Sequence, residues 1–344
     1  MKEERYLKKY SFDFPNELIA QKPASPRDSA RLLIYNRKEK KVAFDNFLAL
    51  DKYLPPRSVI VVNETKVVPA RLTLKKETGG GVQVLFISES KKGWEVLSNR
   101  KLSLGQTLTL DSQHQFLVVG QRESLFIIRP LFKSRGVFSV LEKYGTTPIP
   151  PYIKHPAFGE KKLREEYQSV FAKTKGSVAA PTASLHFTGR LIKKLSVRGH
   201  DVRRLTLHVG LGTFASVTKE QLRRGTLHKE YYEISPETAR FLNQAKRDRR
   251  PIIAVGTTVL RALESDSDSM GRLRKLKGET NLFIREGYRF RFVDSLITNF
   301  HVPQSSLLML VSALVSREEI TKLYHLAIHE KFKLFSFGDG MLIL

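Results

Sequence analysis

Between about Leu72 and Tyr144 apolar and polar residues alternate in short bursts: RLTLKK, VQVLFIS, WEVLSN, TLTL, QFLVVG and SLFIIRP. TGGG, KKG, LGQ and DSQH separate them. A period of two broken by turn residues is the mark of strands with one buried face. Six such runs at close spacing predict a small antiparallel barrel or sandwich. The flanking segments have another texture. Before them, FPNELIAQ and FDNFLALDKYL read as short amphipathic helices, and RLLIYN and SVIVVN as strands. After them, RLTLHV, PIIAV and FRFVDSLIT read as strands alternating with helices.

Those helices carry start signals. Thr218 with Gln221, and Ser316 with Glu319, have the spacing of a capping box, while Ser235 is a cap followed by Pro236 at the first helical position. The proline-rich TTPIPPYI stiffens the chain where the β-rich region ends. The pattern therefore predicts one discontinuous α/β domain, residues 1–71 and 150–344, into which a β-module of residues 72–149 is inserted. Repeats and low-complexity tracts are absent.

Composition changes this picture in two ways. The 344 residues hold 59 Lys and Arg against 34 Asp and Glu, a formal net charge of +25. Such an excess favours polyanionic partners, nucleic acid above all. From Arg190 to Arg250 there are fifteen basic residues against six acidic ones, and the aromatic residues of KEYYEI and REGYRFRF stand nearby, available to stack on unpaired bases. Second, there is no cysteine, which excludes disulfides, thiol nucleophiles and Cys-ligated metal. The N-terminus MKEERYLKKY lacks the apolar run of a signal peptide. VPQSSLLMLVSALVS falls short of the ~20 apolar residues of a membrane span. A soluble, cytoplasmic protein is expected, with no membrane partner.

Against this basic background, SVAAPTASLHFT (177–188) has no charged side chain and one histidine, His186. Small residues let a ligand or another backbone approach closely, and a histidine in such a wall suits proton transfer. A hydrogen-bonded core histidine is the competing reading. HVGLGTF (208–214) follows a strand with two glycines, but lacks the third glycine of a dinucleotide loop, so a plain tight turn fits as well. AVGTTVLRALES places Gly256, Thr257 and Thr258 at a helix start, where free N–H groups favour an anion; Arg261 and Glu264 follow one turn on. Simple capping with a surface Arg–Glu pair explains the same residues. The pairs His228/Glu230 and His325/His329 lack a metal-ligand pattern, and no metal is expected. No G-x-S-x-G elbow is present.

In order along the chain, FPNELIAQKPASPRDSARLLIYNR, NETKVVPARL, PIPPYI, YQSVFAKTKGSVAAPTASLHFT, TLHVGLGTF, LHKEYYEI, IIAVGTTVLRALES, LITNFHVPQSSLLMLVSAL and FSFGDGMLI closely resemble the S-adenosylmethionine:tRNA ribosyltransferase-isomerase family of queuosine biosynthesis. The resemblance runs the length of the chain. Glu64 stands where the family usually has Asp, Glu286 where Pro is common and Gly340 where Ala is usual.

The resemblance implies an α/β main domain with barrel-like character and an inserted small antiparallel β-barrel. It implies transfer and isomerisation of the ribosyl moiety of S-adenosylmethionine onto 7-aminomethyl-7-deazaguanine at the tRNA wobble position. Epoxyqueuosine-tRNA forms, and adenine and methionine are released. S-adenosylmethionine is then a consumed co-substrate, with no bound prosthetic group, and the anticodon region of tRNA is the partner of a monomer. On this resemblance His186 is the first candidate base, with His208, Glu230 and His301 as further acid/base candidates. Gly210, Gly212, Thr257, Thr258 and Arg261 are expected to contact S-adenosylmethionine. Arg27, Asp28, Arg31 and Asn299 are expected to border the cleft for substrate or tRNA. The alternative from another class is a non-catalytic tRNA- or rRNA-binding protein.

Overall fold

The computed structural model describes residues 2–133, 135–210 and 217–344. Its largest element is a mixed nine-stranded sheet. Four strands at its centre, Asp201–Leu207, Val59–Asn63, Ile252–Val255 and Ser295–Asn299, lie side by side and parallel. Gly340–Ile343 runs antiparallel to the last of these and parallel to Arg31–Asn36, which pairs with the edge strand Lys41–Asn46. On the other side Thr226–Glu233 and Lys277–Leu282 complete the sheet as antiparallel strands.

The central strands are apolar on both faces because both faces are covered. Val59 and Val61 point into one core, with Leu242 of the helix Pro236–Arg247 and Met309 of the helix Ser306–Val315. Ile60 and Val62 point into the other, with Leu191 and Leu195 of the helix Gly189–Val197. The predicted caps form, the Ser316/Glu319 box with its Ser316 half only. Thr218 and Gln221 form a complete capping box, Ser235 accepts from the Thr238 N–H with Pro236 in the first turn, and Ser316 accepts from the Glu319 N–H.

The six alternating runs form six antiparallel strands from Arg71 to Pro130, closed into a barrel. Its inside is filled by Leu72, Leu74, Val84, Trp94, Phe116 and Ile128, every one almost wholly buried. The helix Val137–Tyr144 adds Val140 and Leu141 to that core. Chain segments on each side of the barrel tie it to the main sheet. Thr65–Val67 pairs in parallel with Thr174–Ser177, and the Gln168 amide bonds both the N–H and the carbonyl of Val67, at 3.0 and 2.8 Å.

Two predicted helices are absent. FPNELIAQ holds only a short 3₁₀ turn, Asn16–Leu18, and FDNFLALDKYL divides into the end of the edge strand and a 3₁₀ helix, Phe47–Lys52. On that edge strand Val42 and Phe44 are exposed, so its apolar residues do not mark a buried face, and spacing alone suggested a helix instead. FRFVDSLIT becomes strand only from Ser295.

Gly340 is held by packing. A Cβ there would lie 2.6 Å from Cζ of Phe47, a fully buried ring. The Gly340→Ala variant must displace that ring, and overpacking of this kind costs about 2 kcal/mol. A lowered urea midpoint with unchanged m-value is the expected result; an unchanged midpoint means that the ring yields freely.

Candidate active site

The four parallel strands end at a common edge, and the crevice beyond the carboxyl ends of such strands is where open α/β sheets bind ligands. Here that crevice is a cleft of about 920 Å³ counting its open mouth. One wall is Ala180, Pro181, Thr182 and Ala183 of the uncharged segment, part of which winds into the 3₁₀ helix Thr182–His186. With no side chain longer than proline or threonine, this wall leaves the space open.

Opposite it the helix Thr257–Asp266 begins. Gly256 precedes it at φ 90°, a left-handed conformation that favours glycine, and no side chain caps the helix. Gly256, Thr257 and Thr258 line the cleft as expected. One turn on, Arg261 is 5% exposed and lines it too. Its Nη1 donates to the Glu230 carboxylate, and its Nε donates to the Leu282 carbonyl at 3.1 Å. Its Nη2 is buried with no hydrogen-bond partner among the described residues. The other Glu230 oxygen accepts from the Gly210 N–H at 3.1 Å. Gly210 therefore acts by fixing Glu230, and it is not among the residues lining the cleft. Gly212 lies outside the described residues.

Of the acid/base candidates, Glu230 and His301 line the cleft. His301 Nε2 lies 2.9 Å from Thr298 Oγ1, and the backbone N–H of His301 donates to the Tyr324 hydroxyl at 2.7 Å. Burial pushes its pKa down to about 3, so the ring is neutral near pH 7. His228 lines the cleft as well. It precedes Glu230 by two residues in the strand Thr226–Glu233, where the pairing is irregular between Thr226 and Glu230, and the neighbouring Leu227 lines the cleft too. The sequence weighed this pair only as metal ligands; the irregular pairing at the start of the strand brings His228 to the cleft, which a local pattern does not show.

The structure moves several expected residues out of the cleft. His186 is 4% exposed and does not line it. Its ring stacks on Phe47 at 4.1 Å, and its Nε2 lies 3.2 Å from Asn299 Nδ2. His208 is held beside Thr65, whose Oγ1 is 2.8 Å from its Nδ1, and stacks on Tyr231. Arg27 donates to the backbone carbonyls of Gln168 and Glu166 and pairs with the Glu166 carboxylate at 3.0 Å. Asp28 is fully buried, accepts from the Thr188 hydroxyl, and takes both Nε and Nη2 of Arg190, at 2.6 and 2.5 Å. Arg31 donates to the Glu330 carbonyl and lies over the Phe332 ring. These three residues brace the turn Arg27–Ser29 and the strand after it through the bonds just named, and none of them lines the cleft. Glu264 also turns away from the crevice, accepting from the N–H groups of Arg291, Phe292 and Val293. Asn299 does line the cleft.

Burial drives the His186 pKa from 6.5 down to about 3, with Arg27 adding to the effect. A histidine kept neutral in the fold binds its proton only on unfolding, so stability falls as pH drops from about 6.5 toward 3. Replacing the ring removes one such proton. Between pH 6 and 4 the stability of a His186→Gln variant should fall less steeply than that of the parent, by one proton in linkage slope. Parallel slopes in urea titrations would mean that His186 titrates normally.

Comparison with known proteins agrees with this architecture. A family model described as queuosine biosynthesis protein matches residues 7–343. A Carboxydothermus hydrogenoformans protein named S-adenosylmethionine:tRNA ribosyltransferase-isomerase is 45% identical over 347 residues, spanning 98% of this chain and 99% of that one. A Rubrobacter xylanophilus protein of the same name is 43% identical over 335 residues, spanning 97% and 96%. The crystal structure of S-adenosylmethionine tRNA ribosyltransferase from Thermotoga maritima is similar with a TM-score of 0.55 at 30% identity, covering 98% of this chain and all of that one. With a match from end to end and relatives this similar, the chain belongs to the queuosine biosynthesis protein family.

Proposed function

We infer that the cleft is where this chain, acting as an S-adenosylmethionine:tRNA ribosyltransferase-isomerase, moves the ribosyl group of S-adenosylmethionine onto a tRNA base. The base is 7-aminomethyl-7-deazaguanine at the wobble position, and S-adenosylmethionine is consumed as a co-substrate without a prosthetic group. The observation that carries the reading is the buried Arg261, its Nη2 unpartnered among the described residues, beside a helix N-terminus that none of their side chains caps, in a cleft walled by small residues. Glu230 already matches the Arg261 charge. Nη2 is therefore a directional donor rather than a bare cation, and together with the helix N–H groups it suits the carboxylate of the methionyl part.

The reaction needs a base to take a proton from C5′, whose acidity the adjacent sulfonium raises. The ribose then opens with loss of adenine, the tRNA amine attacks, and methionine leaves as the epoxide forms. His228 is the group we assign as base: it lines the cleft, and its side chain has no hydrogen-bond partner among the described residues. His301, neutral and placed by Thr298 and Tyr324, is a hydrogen-bond donor or acceptor for the departing adenine. The net charge of +25 supports association with tRNA, which should weaken steeply with salt. No helix among the described residues is long and apolar enough to cross a membrane.

The deciding assay is release of adenine and methionine from S-adenosylmethionine by the purified protein, with modified tRNA, with unmodified tRNA and without tRNA. One-for-one release only with the modified tRNA is expected. Tight tRNA binding with no adenine under any condition would establish a non-catalytic RNA-binding protein instead. His228→Ala should lower turnover about 100-fold, within the range of a lost acid/base group. Arg261→Met should instead act mainly on KM for S-adenosylmethionine, raising it about tenfold or more.

A further inference from the structure

Asn299, at the end of the strand Ser295–Asn299, lines the cleft and is 2% exposed. Its Nδ2 is 3.4 Å from the backbone carbonyl of Asp339 and 3.2 Å from His186 Nε2. Its Oδ1 is buried with no partner among the described residues. A carbonyl oxygen only accepts, so the end of the amide that faces Asp339 is the NH₂. The same NH₂ reaches His186, whose Nε2 must then accept, and the imidazole proton sits on Nδ1. Phe47, stacked within 16° of parallel, holds the plane of the ring. Burial keeps that ring uncharged, as the acceptor role requires.

A buried acceptor without a donor is costly, and such atoms are few in folded proteins. With Nδ2 turned to His186, Oδ1 is the side-chain atom of Asn299, a cleft-lining residue, that has no partner among the described residues. We propose that His186 is a positioning residue: by accepting from Asn299 it fixes Oδ1 as the acceptor for a neutral N–H or O–H donor of S-adenosylmethionine. The donor is the exocyclic amine of its adenine or a hydroxyl of its ribose. This rests on the enzymatic reading above. It gives the histidine of the uncharged wall a task that proton transfer does not require, and it makes Asn299 a specificity contact. A ligand without the donor leaves Oδ1 unpaired and is rejected for that reason.

The test begins with ¹⁵N-histidine labelling of the whole protein, the His186 signals being those lost in His186→Gln. Between pH 5 and 8 an unprotonated Nε2 and a protonated Nδ1 are expected. A protonated Nε2 overturns the proposal. Calorimetry then compares S-adenosylmethionine binding to the parent, His186→Leu and His186→Gln. Leucine removes the acceptor and should weaken binding about tenfold. The glutamine carbonyl reaches the place of Nε2 and should keep affinity within about threefold. Equal affinities in all three overturn the positioning role, and so does a loss in glutamine as large as that in leucine.

S-inosylmethionine, in which the amine is replaced by a carbonyl, separates the two donors. A loss of about tenfold in the parent that His186→Leu does not deepen assigns the amine. Unchanged affinity in the parent, with the leucine loss retained, assigns a ribose hydroxyl. If the parent binds no S-adenosylmethionine at all, the enzymatic reading has failed. That result is distinct from a parent that binds and variants that do not differ.

Discussion

The fully buried amide of Asn63 joins three parts of the molecule where the site begins. Its Oδ1 accepts from the backbone N–H of Thr65 and Leu207, at 3.0 and 3.1 Å. Its Nδ2 donates to the Leu207 carbonyl at 2.9 Å and, at 3.4 Å, to Thr258 Oγ1. One side chain thus satisfies the ends of two neighbouring parallel strands and reaches the first turn of the helix that opens on the cleft. Past Asn63 the chain leaves the sheet for the barrel. A strand end that was not satisfied here would leave buried backbone groups orphaned, at a cost comparable to lost hydrogen bonds. The common edge of the sheet, and with it the cleft, depends on this amide.

The molecule separates its charge from its chemistry. A surface that carries most of a +25 excess surrounds a cleft in which Arg261 is matched by Glu230 and the wall of 180–183 is uncharged. Buried ions are tolerated only when paired and hydrogen-bonded. Here Glu230 takes both the guanidinium and a backbone N–H, so the pair is held in place while Nη2 has no partner among the described residues. The basic surface can then draw in a polyanion over long range while the cleft selects by shape and directed hydrogen bonds.

Packing behind the cleft sets that direction. Gly340 leaves room for Phe47, Phe47 lies flat on His186, and His186 meets Asn299. None of the first three lines the cleft, yet each restricts how Asn299 presents its amide. Dense interiors transmit displacement in this way because neighbours have little free volume to absorb it. Of the family departures, Gly340 is the one that touches this column; Glu286 instead accepts from the Tyr10 hydroxyl and the Arg317 N–H.

Local pattern by itself indicated the six strands of the β-module and the helix-starting caps, because alternation of two and the capping residues act over a few positions. Closure into a barrel and the edge strand Lys41–Asn46 depended on distant pairing. The run SVAAPTASLHFT announced a wall of small residues on composition alone, and Ala180 to Ala183 form one. Which charged residues serve a ligand was decided only by tertiary structure. Arg27, Asp28 and Arg31 have the types of a binding motif, but their partners lie 139, 162 and 299 residues away in the chain. Nothing in a local window reveals a partner that distant. For the same reason His228 lines the cleft and His186 does not. Sequence gives a residue its chemistry, whereas burial and the positions of distant partners decide whether that chemistry faces a ligand or the protein itself.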